Sequence, residues 1–474
     1  MRPHAPVSVV FFRCRAPVAA AKMRAAGRPA SAGAFEGTWE RGLSGFSSIA
    51  RGGLRGISSA FSPASRTLAA LLVISYAAAA LALPYAIVAP SGTDDTNWAQ
   101  RALAPWWFPQ PRGVAAGWEK ERELHFHDQK WTSAYWRDYF YAIDHPSVTR
   151  IVYRAALHAA GIRELVNKPW DGTISNDRNE DLGHILPYRV RTLMRSVNLV
   201  FFLATLYLIF FAGKRALGSG GLAFLAALPI AVEPVMSKTQ LSIVTYIGDD
   251  AILLFMVVLF WFAWLWAKDR GTAGAVVLGA AGGLATATQV NGCLPLLAAV
   301  VYYAIYARAW RRVALPTVMM GTAAAVFLAL NPVYLGGAAW MARALRDTMS
   351  LRTYIRGQQP CGPGDFTRVE TILAAVPHIY FYLAVAAVAF AARRTSWFGV
   401  TAFWSASVFF GNLALIHKAV PRYAAPIRVA LLVLFMTAGL TALGDAWRAR
   451  PARGPATSAA CREGDGGTVR EGAE

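Results

Sequence analysis

The stretch that decides the fold is the apolar run Thr67–Val88, TLAALLVISYAAAALALPYAIV, with the segment after it, Pro90-Ser-Gly-Thr-Asp94-Asp95-Thr-Asn-Trp98. The run is long enough to cross a bilayer as one helix, which needs about 20 apolar residues. Ionisable side chains at membrane depth are costly and usually mark a substrate or ion site. Asp94 and Asp95 are therefore candidates for such a site, and the alternative is a pair of solvated acids in a loop.

A second acidic pair strengthens this interpretation. Asp249 and Asp250 directly precede another apolar run, Ala251–Ala267. If both pairs lie on the same side of the membrane, four carboxylates share one water–lipid boundary.

The composition supports a membrane protein and excludes several other classes. Of the 474 residues 55% are hydrophobic and 16% are charged, which is too apolar for a soluble enzyme. The net charge is +20, but basic residues concentrated in short loops beside apolar runs orient helices rather than bind nucleic acid. The four cysteines lack C-x-x-C spacing, so the sequence predicts neither a disulfide framework nor a zinc site.

The chain divides into three parts. Residues 1–66 are rich in Arg, Ala, Gly and Ser, which predicts a disordered basic tail in the cytoplasm or a start codon assigned too early. Residues 67–445 form the predicted membrane domain. Residues 446–474 form a second disordered cytoplasmic tail.

The sequence predicts an all-α polytopic membrane protein with about ten transmembrane helices. Lys or Arg residues beside alternate helix ends place both termini in the cytoplasm, and both acidic pairs then face the periplasm or lumen. The first loop on that face, 91–188, is crowded with Trp and Tyr, which favours interfacial helices over a small separate domain; a second loop there is 336–370. The predicted spans are Thr67–Val88, Val190–Phe211, Gly221–Val235, Ala251–Ala267, Gly274–Thr288, Leu294–Ala307, Val313–Leu335, Thr371–Ala391, Trp397–Ile416 and Ala424–Leu443.

The order of the motifs resembles a known family. An acidic pair follows the first span, Asp144-His145-Pro146-Ser147 lies in the first loop, and Asp250-Ala-Ile-Leu-Leu-Phe255 opens a later span. These motifs resemble membrane glycosyltransferases of the GT-C class, nearest to the protein O-mannosyltransferase and aminoarabinose-transferase branch that uses polyprenyl-phosphate sugars.

Weaker similarities occur in the same order along residues 67–445. They are Leu186-Pro-Tyr-Arg189, Gly213-Lys-Arg215, Thr288-Gln-Val-Asn291 and Arg422-Tyr423-Ala-Ala-Pro426. The sequence departs from the family in having Asp95 for a glutamate, Ser147 for a second proline and Gln289 for a lysine.

The resemblance implies a function and a set of site residues. It implies an integral-membrane enzyme that moves a sugar from a polyprenyl-phosphate donor to a hydroxyl of a lipid, glycan or protein on the periplasmic face. The Ala-, Arg- and Gly-rich composition predicts that this membrane is the bacterial inner membrane. Asp94, the first residue of its pair, is then the base of an inverting reaction, with Asp95 beside it. Asp250 is next in importance and orients the acceptor or donor, with Asp249 beside it.

Other residues are expected around the substrate. The departing phosphate needs cations, and Arg189, Lys418 and Arg422 lie at predicted periplasmic span ends, with Tyr423 in the same motif as Arg422. Each of these cations can equally be an interfacial side chain that snorkels to water. Asp144 and His145 are expected to orient the sugar. No cofactor is established; a divalent cation is left open, with ligands from Asp94, Asp250 and His145.

Two other functions stay open at this stage. A transporter would use the acids as proton or cation sites, but transporters tend to carry internal repeats and acids near the midplane, and neither is evident in this sequence. The other alternative is a non-catalytic lipid-binding relative of the glycosyltransferases.

Overall fold

A computed structural model describes residues 62–88, 95–103, 147–165, 178, 181–236, 244–332, 396–415 and 425–448. Across these residues the secondary structure is helical, with no strand. The helices are α1 Pro63–Val88, α2 Asp95–Leu103, α3 Val148–Ala159, α4 Tyr188–Leu217, α5 Gly220–Met236, α6 Asp250–Ala267, α7 Gly271–Thr286, α8 Cys293–Tyr306, α9 Arg311–Leu330, α10 Ser396–Leu415 and α11 Ala425–Arg448.

The long helices support an integral membrane protein, as the composition predicts. Four stretches within them are long and apolar enough to cross a bilayer: Pro63–Pro84, Tyr188–Arg215, Asp250–Ala267 and Arg311–Leu330. Nine of the ten predicted spans fall on helices, whereas Thr371–Ala391 lies outside the described residues, so the count of ten stays a prediction. The span predicted to end at Leu335 instead leaves helical geometry at Asn331 (φ −125°, ψ 65°), and Pro332 follows directly.

Helix α6 lies at the centre of the bundle. It packs against α4, α7 and α10, and Trp261 and Trp264 are buried within it. The rings of Trp261 and Trp404 stack 5.3 Å apart. The Trp261 indole donates to Thr401 Oγ1 over 3.0 Å and the Trp404 indole to the Val257 carbonyl over 3.1 Å. These bonds satisfy the indole N–H groups of Trp261 and Trp404 and fix α6 against α10.

The two ends of the bundle hold different helix termini. At one end, Lys214 near the end of α4 donates to Thr67 at the start of α1 over 3.2 Å. Tyr303 of α8 reaches the Lys268 carbonyl just after α6 over 3.2 Å at a helix end that also carries Arg270. The opposite end holds α2, α3, the start of α6 and the C-terminal ends of α7 and α9. Below it is called the acidic end, because Asp95, Asp249 and Asp250 lie there.

Glycines allow α7 and α9 to approach closely. A Cβ atom on Gly279 would lie 2.5 Å from the Met319 carbonyl oxygen, and one on Gly283 would lie 2.7 Å from the Ala323 carbonyl oxygen. The four-residue spacing puts both glycines on one face of α7. Close backbone contact through small residues is a common way for helices to associate in lipid.

We expect Gly279→Ala to lower the melting temperature of the detergent-solubilised protein. The added methyl group has to displace backbone, and such overpacking costs about 1–3 kcal/mol, more than the roughly 1 kcal/mol that alanine gains in helix propensity. Gly321→Ala is the matched control, because Gly321 lies in α9 with no atom within 4 Å of its added Cβ. Equal melting temperatures for the two variants would contradict the close α7–α9 contact.

Candidate functional site

Asp95 is fully buried at the acidic end. Its Oδ2 atom lies 3.2 Å from Arg195 Nη2 of α4, and the two side chains are 0% and 2% exposed. Its Oδ1 atom accepts a hydrogen bond of 3.1 Å from the backbone N–H of Ile247. One carboxylate thus joins the start of α2 to α4 and to the segment that leads into α6.

The residues on either side of Ile247 are held in the same way. Asn198 of α4 donates from Nδ2 to the Tyr246 carbonyl over 2.7 Å. The hydroxyl of Tyr153 in α3 lies 2.8 Å from the Gly248 carbonyl oxygen and 2.5 Å from Asn198 Oδ1. Backbone groups of residues 246, 247 and 248 are therefore each bound by a buried side chain. We call Asp95, Tyr153 and Asn198 the clamp.

The hydroxyl of Tyr153 is enclosed by the protein. Burial raises its pKa well above the ordinary value, and the charges of Asp249 and Asp95 act in the same direction. The hydroxyl is protonated at physiological pH, as a solvated tyrosine also is, and can donate.

Gly248 lies in close contact with two aromatic side chains. A Cβ atom at this position would come within 2.9 Å of the Tyr246 ring and 3.6 Å of Trp98 Nε1. Trp98 is buried, and the guanidinium of Arg101 lies 5.1 Å from its ring centroid. The glycine thus lets the Tyr246 ring and the Trp98 indole lie against the backbone next to Asp249.

Asp249 and Asp250 stand where the clamped segment becomes helix α6. They are 5% and 8% exposed, and the Asp249 carbonyl accepts the Leu253 N–H over 2.7 Å. A carboxylate in the first turn of a helix is stabilised by the unpaired N–H groups there. Asp250 is also the first residue of an apolar stretch that can cross a membrane, so this pair lies at the end of the stretch rather than at its middle.

A second set of hydrogen bonds fixes the end of the Asp144–Ser147 motif. The Ser147 N–H donates to Asn331 Oδ1 over 2.8 Å, and its hydroxyl donates to the Leu330 carbonyl. The Val148 N–H donates to the Ala287 carbonyl over 3.0 Å. The start of α3 is therefore attached to the ends of α7 and α9. The bond from Val148 also places the start of α3 beside the Thr288–Asn291 motif.

The structure describes only part of the predicted site. Asp95, Asp249 and Asp250 lie at one end of the bundle, as the topology predicts, while Arg189 is exposed at the start of α4. Asp94, Asp144, His145, Lys418, Arg422 and Tyr423 lie outside the described residues, and their roles stay predictions.

Sequence reasoning missed several residues of the acidic end. Tyr153, Arg195, Asn198 and Asn331 are buried there, as is Arg150 one turn before Tyr153. The sequence does contain a signal for two of these residues. Arg195 and Asn198 lie three apart near the start of an otherwise apolar span, so they share one helix face and must have polar partners inside the protein.

The described residues do not contain a metal site. Within them, no three His, Cys, Asp or Glu side chains come together as possible ligands. Both Asp95 oxygens already accept hydrogen bonds from Arg195 and Ile247. Because Asp94 and His145 lie outside the described residues, a divalent cation bound by them and Asp250 stays a prediction.

Comparison with known proteins gives a limited result. No family model matches the sequence, and no curated protein matches it. One matching solved structure is the crystal structure of ArnT from Cupriavidus metallidurans bound to undecaprenyl phosphate, with 17% sequence identity and a TM-score of 0.47. The match covers 81% of this chain and 62% of that one, so this chain spans less than two thirds of the other protein. A likeness at this level carries no argument about function.

We expect Asn331→Leu to destabilise the protein, because it leaves the buried Ser147 N–H without its acceptor, a loss of about 1–3 kcal/mol. Asn331→Asp is the matched variant, since it keeps an oxygen acceptor at the same place. The measurement is thermal unfolding in detergent. If the leucine and aspartate variants have the same melting temperature as the wild type, the attachment of Ser147 to α9 does not stabilise the fold.

Proposed function

We propose that this chain is an integral-membrane glycosyltransferase that moves a sugar from a polyprenyl-phosphate donor to an acceptor hydroxyl. The observation that carries the proposal is the 3.1 Å hydrogen bond between Asp95 and Ile247. It joins one member of the acidic pair after the first apolar run to a residue two positions before the second acidic pair, which lies more than 150 residues later in the chain. Such convergence of acids at a helix end gives a polar site beside lipid.

The reaction needs a base, and Asp94 is our choice. It takes the proton of the acceptor hydroxyl as that oxygen attacks the anomeric carbon. The bond from the anomeric carbon to the phosphate oxygen breaks, and polyprenyl phosphate leaves with the bonding electrons. Attack from the side opposite the phosphate inverts the configuration. Asp94 is covalently next to Asp95, whose position the clamp fixes.

The remaining predicted residues bind the two substrates. Asp250 orients the acceptor or the donor from the first turn of α6, with Asp249 next to it, and Asp144 and His145 orient the sugar. The negative charge on the departing phosphate is stabilised by Lys418 and Arg422, assisted by Tyr423. Arg189 is exposed, so in this proposal it meets a phosphate only at the rim of the site.

The position of Asp250 favours a transferase over a transporter. A transporter that used this acid as an ion site would be expected to hold it near the middle of a span, often at a break in a helix. Asp250 instead begins a helix that continues without a break to Ala267. An acid at the end of a span suits a reaction at the membrane surface.

We expect Asp94→Asn to lower transfer from labelled polyprenyl-phosphate sugars in membranes by about 10²–10⁴-fold, the contribution that a general base typically makes. Asp250→Asn should lower transfer less. Asp269→Asn is the matched control, because Asp269 is an aspartate at the opposite end of α6 with a side chain 83% exposed.

Three results would contradict the proposal. Unchanged transfer in Asp94→Asn would exclude Asp94 as the base. Absence of transfer by the wild type with every sugar in a panel of donors would favour the non-catalytic relative. Uptake of a cation or of protons into vesicles that depends on Asp250 would favour the transporter. Repeating the wild-type assay with EDTA tests whether a divalent cation is required.

A further inference from the structure

We propose that Asp95 is a positioning residue, which holds the second acidic pair in place through Ile247 and Arg195 and does not itself react. This inference rests on the proposed transferase function. It separates the roles of two adjacent aspartates that the sequence alone treats as one acidic pair. It also assigns a positioning role to Tyr153 and Asn198, which lie outside every motif identified in the sequence.

The surroundings of Asp95 are those of a structural carboxylate. A general base has to come within about 3 Å of the hydroxyl from which it takes a proton. Asp95 is 0% exposed, and both its oxygens already accept hydrogen bonds, one of them from a buried guanidinium. The contact with Arg195 occupies one carboxylate oxygen inside the protein, where a substrate cannot reach it.

The contacts of Asp95 lead directly to the acids of α6. Residues 246–249 are not helical, so the backbone groups of 246–248 find their partners in side chains from other elements. Asp95 reaches them from α2, Tyr153 from α3 and Asn198 from α4. Only one peptide bond separates Gly248 from Asp249. A shift of the clamp therefore moves Asp249 and Asp250 relative to the substrates.

This arrangement predicts an effect on the chemical step rather than on binding. A displacement of about 1 Å in a reacting group can cost about 100-fold in rate. Loosening the clamp should accordingly lower kcat more than it raises the KM for the polyprenyl-phosphate donor, because in the proposed reaction the donor phosphate is held by Lys418 and Arg422 rather than by the clamp.

The first test replaces the ion pair with a neutral pair. Asp95→Asn leaves the Arg195 charge without its carboxylate, and we expect kcat to fall at least tenfold. In the double variant Asp95→Asn/Arg195→Gln no buried charge is left without its partner, and the asparagine carbonyl can still accept from the Ile247 N–H. We expect this variant to recover to within about tenfold of wild type. A reacting carboxylate could not be rescued in this way, so a double variant as inactive as Asp94→Asn would overturn the proposal.

The second test removes one hydroxyl from the clamp. Tyr153→Phe keeps the buried ring and loses the contacts to Gly248 and Asn198. We expect kcat to fall about tenfold with the donor KM within twofold of wild type. Tyr207→Phe is the matched control, because it removes the hydroxyl bonded to Ser75 between α4 and α1, on the same helix as Asn198, and it should leave both constants unchanged.

Melting temperatures separate failure of this inference from failure of the proposed function. A wild type that transfers no sugar contradicts the function. Thermal unfolding then still tests the coupling of Asp95 and Arg195, because coupled side chains make the double variant melt at a higher temperature than Asp95→Asn. With an active wild type, unchanged kcat in Tyr153→Phe, or loss of the folded protein in that variant, would contradict a positioning role.

Discussion

The backbone of residues 246–248 has to be hydrogen-bonded where an apolar helix begins, and the rest of the acidic end depends on this requirement. Non-helical backbone is tolerated at membrane depth only where protein or water satisfies its polar groups. Here Ile247 and Gly248 are buried, and an unpaired backbone group in such a place costs about 1–3 kcal/mol. Side chains from α2, α3 and α4 supply the partners. The segment therefore reaches this conformation only when those three helices are in place.

This dependence links parts of the chain that are distant in sequence. Helices α2 and α3 belong to the first predicted periplasmic loop, and α4 and α6 belong to the membrane domain. The clamp joins them on one side of α3, and the bonds of Ser147 and Val148 join α3 to the ends of α7 and α9 on the other. Helix α3 is thus attached at its first residue to the end of α7 and through Tyr153 to the segment that leads into α6.

The sequence predicts the helices better than it predicts their contacts. Long apolar runs specify the spans because a helix satisfies its own backbone in lipid, and no knowledge of neighbours is needed. Charged residues at alternate ends then set the topology, which is why Asp95 and Asp249 could be placed on one face. The partner of Asp95 could not be predicted in the same way. Arg195 and Asn198 look like ordinary polar interruptions until the fold brings residues 246–248 against α4. The end of α9 was missed for a local reason, since Asn331 breaks an apolar run that continues to Leu335.

Charge balance explains why one carboxylate of the group is bound so firmly. Three aspartates at one end of a bundle repel one another unless cations lie nearby. Arg195 neutralises Asp95 at 3.2 Å, which removes one negative charge from the neighbourhood of Asp249 and Asp250. The first turn of α6 offsets part of the remainder, because its unpaired N–H groups favour an anion near Asp250. The acidic end thus combines a carboxylate that fixes geometry with a second acidic pair, outside the clamp, at the start of α6. The first holds the backbone of residues 246–248 in place, and the second stands where the apolar stretch of α6 begins.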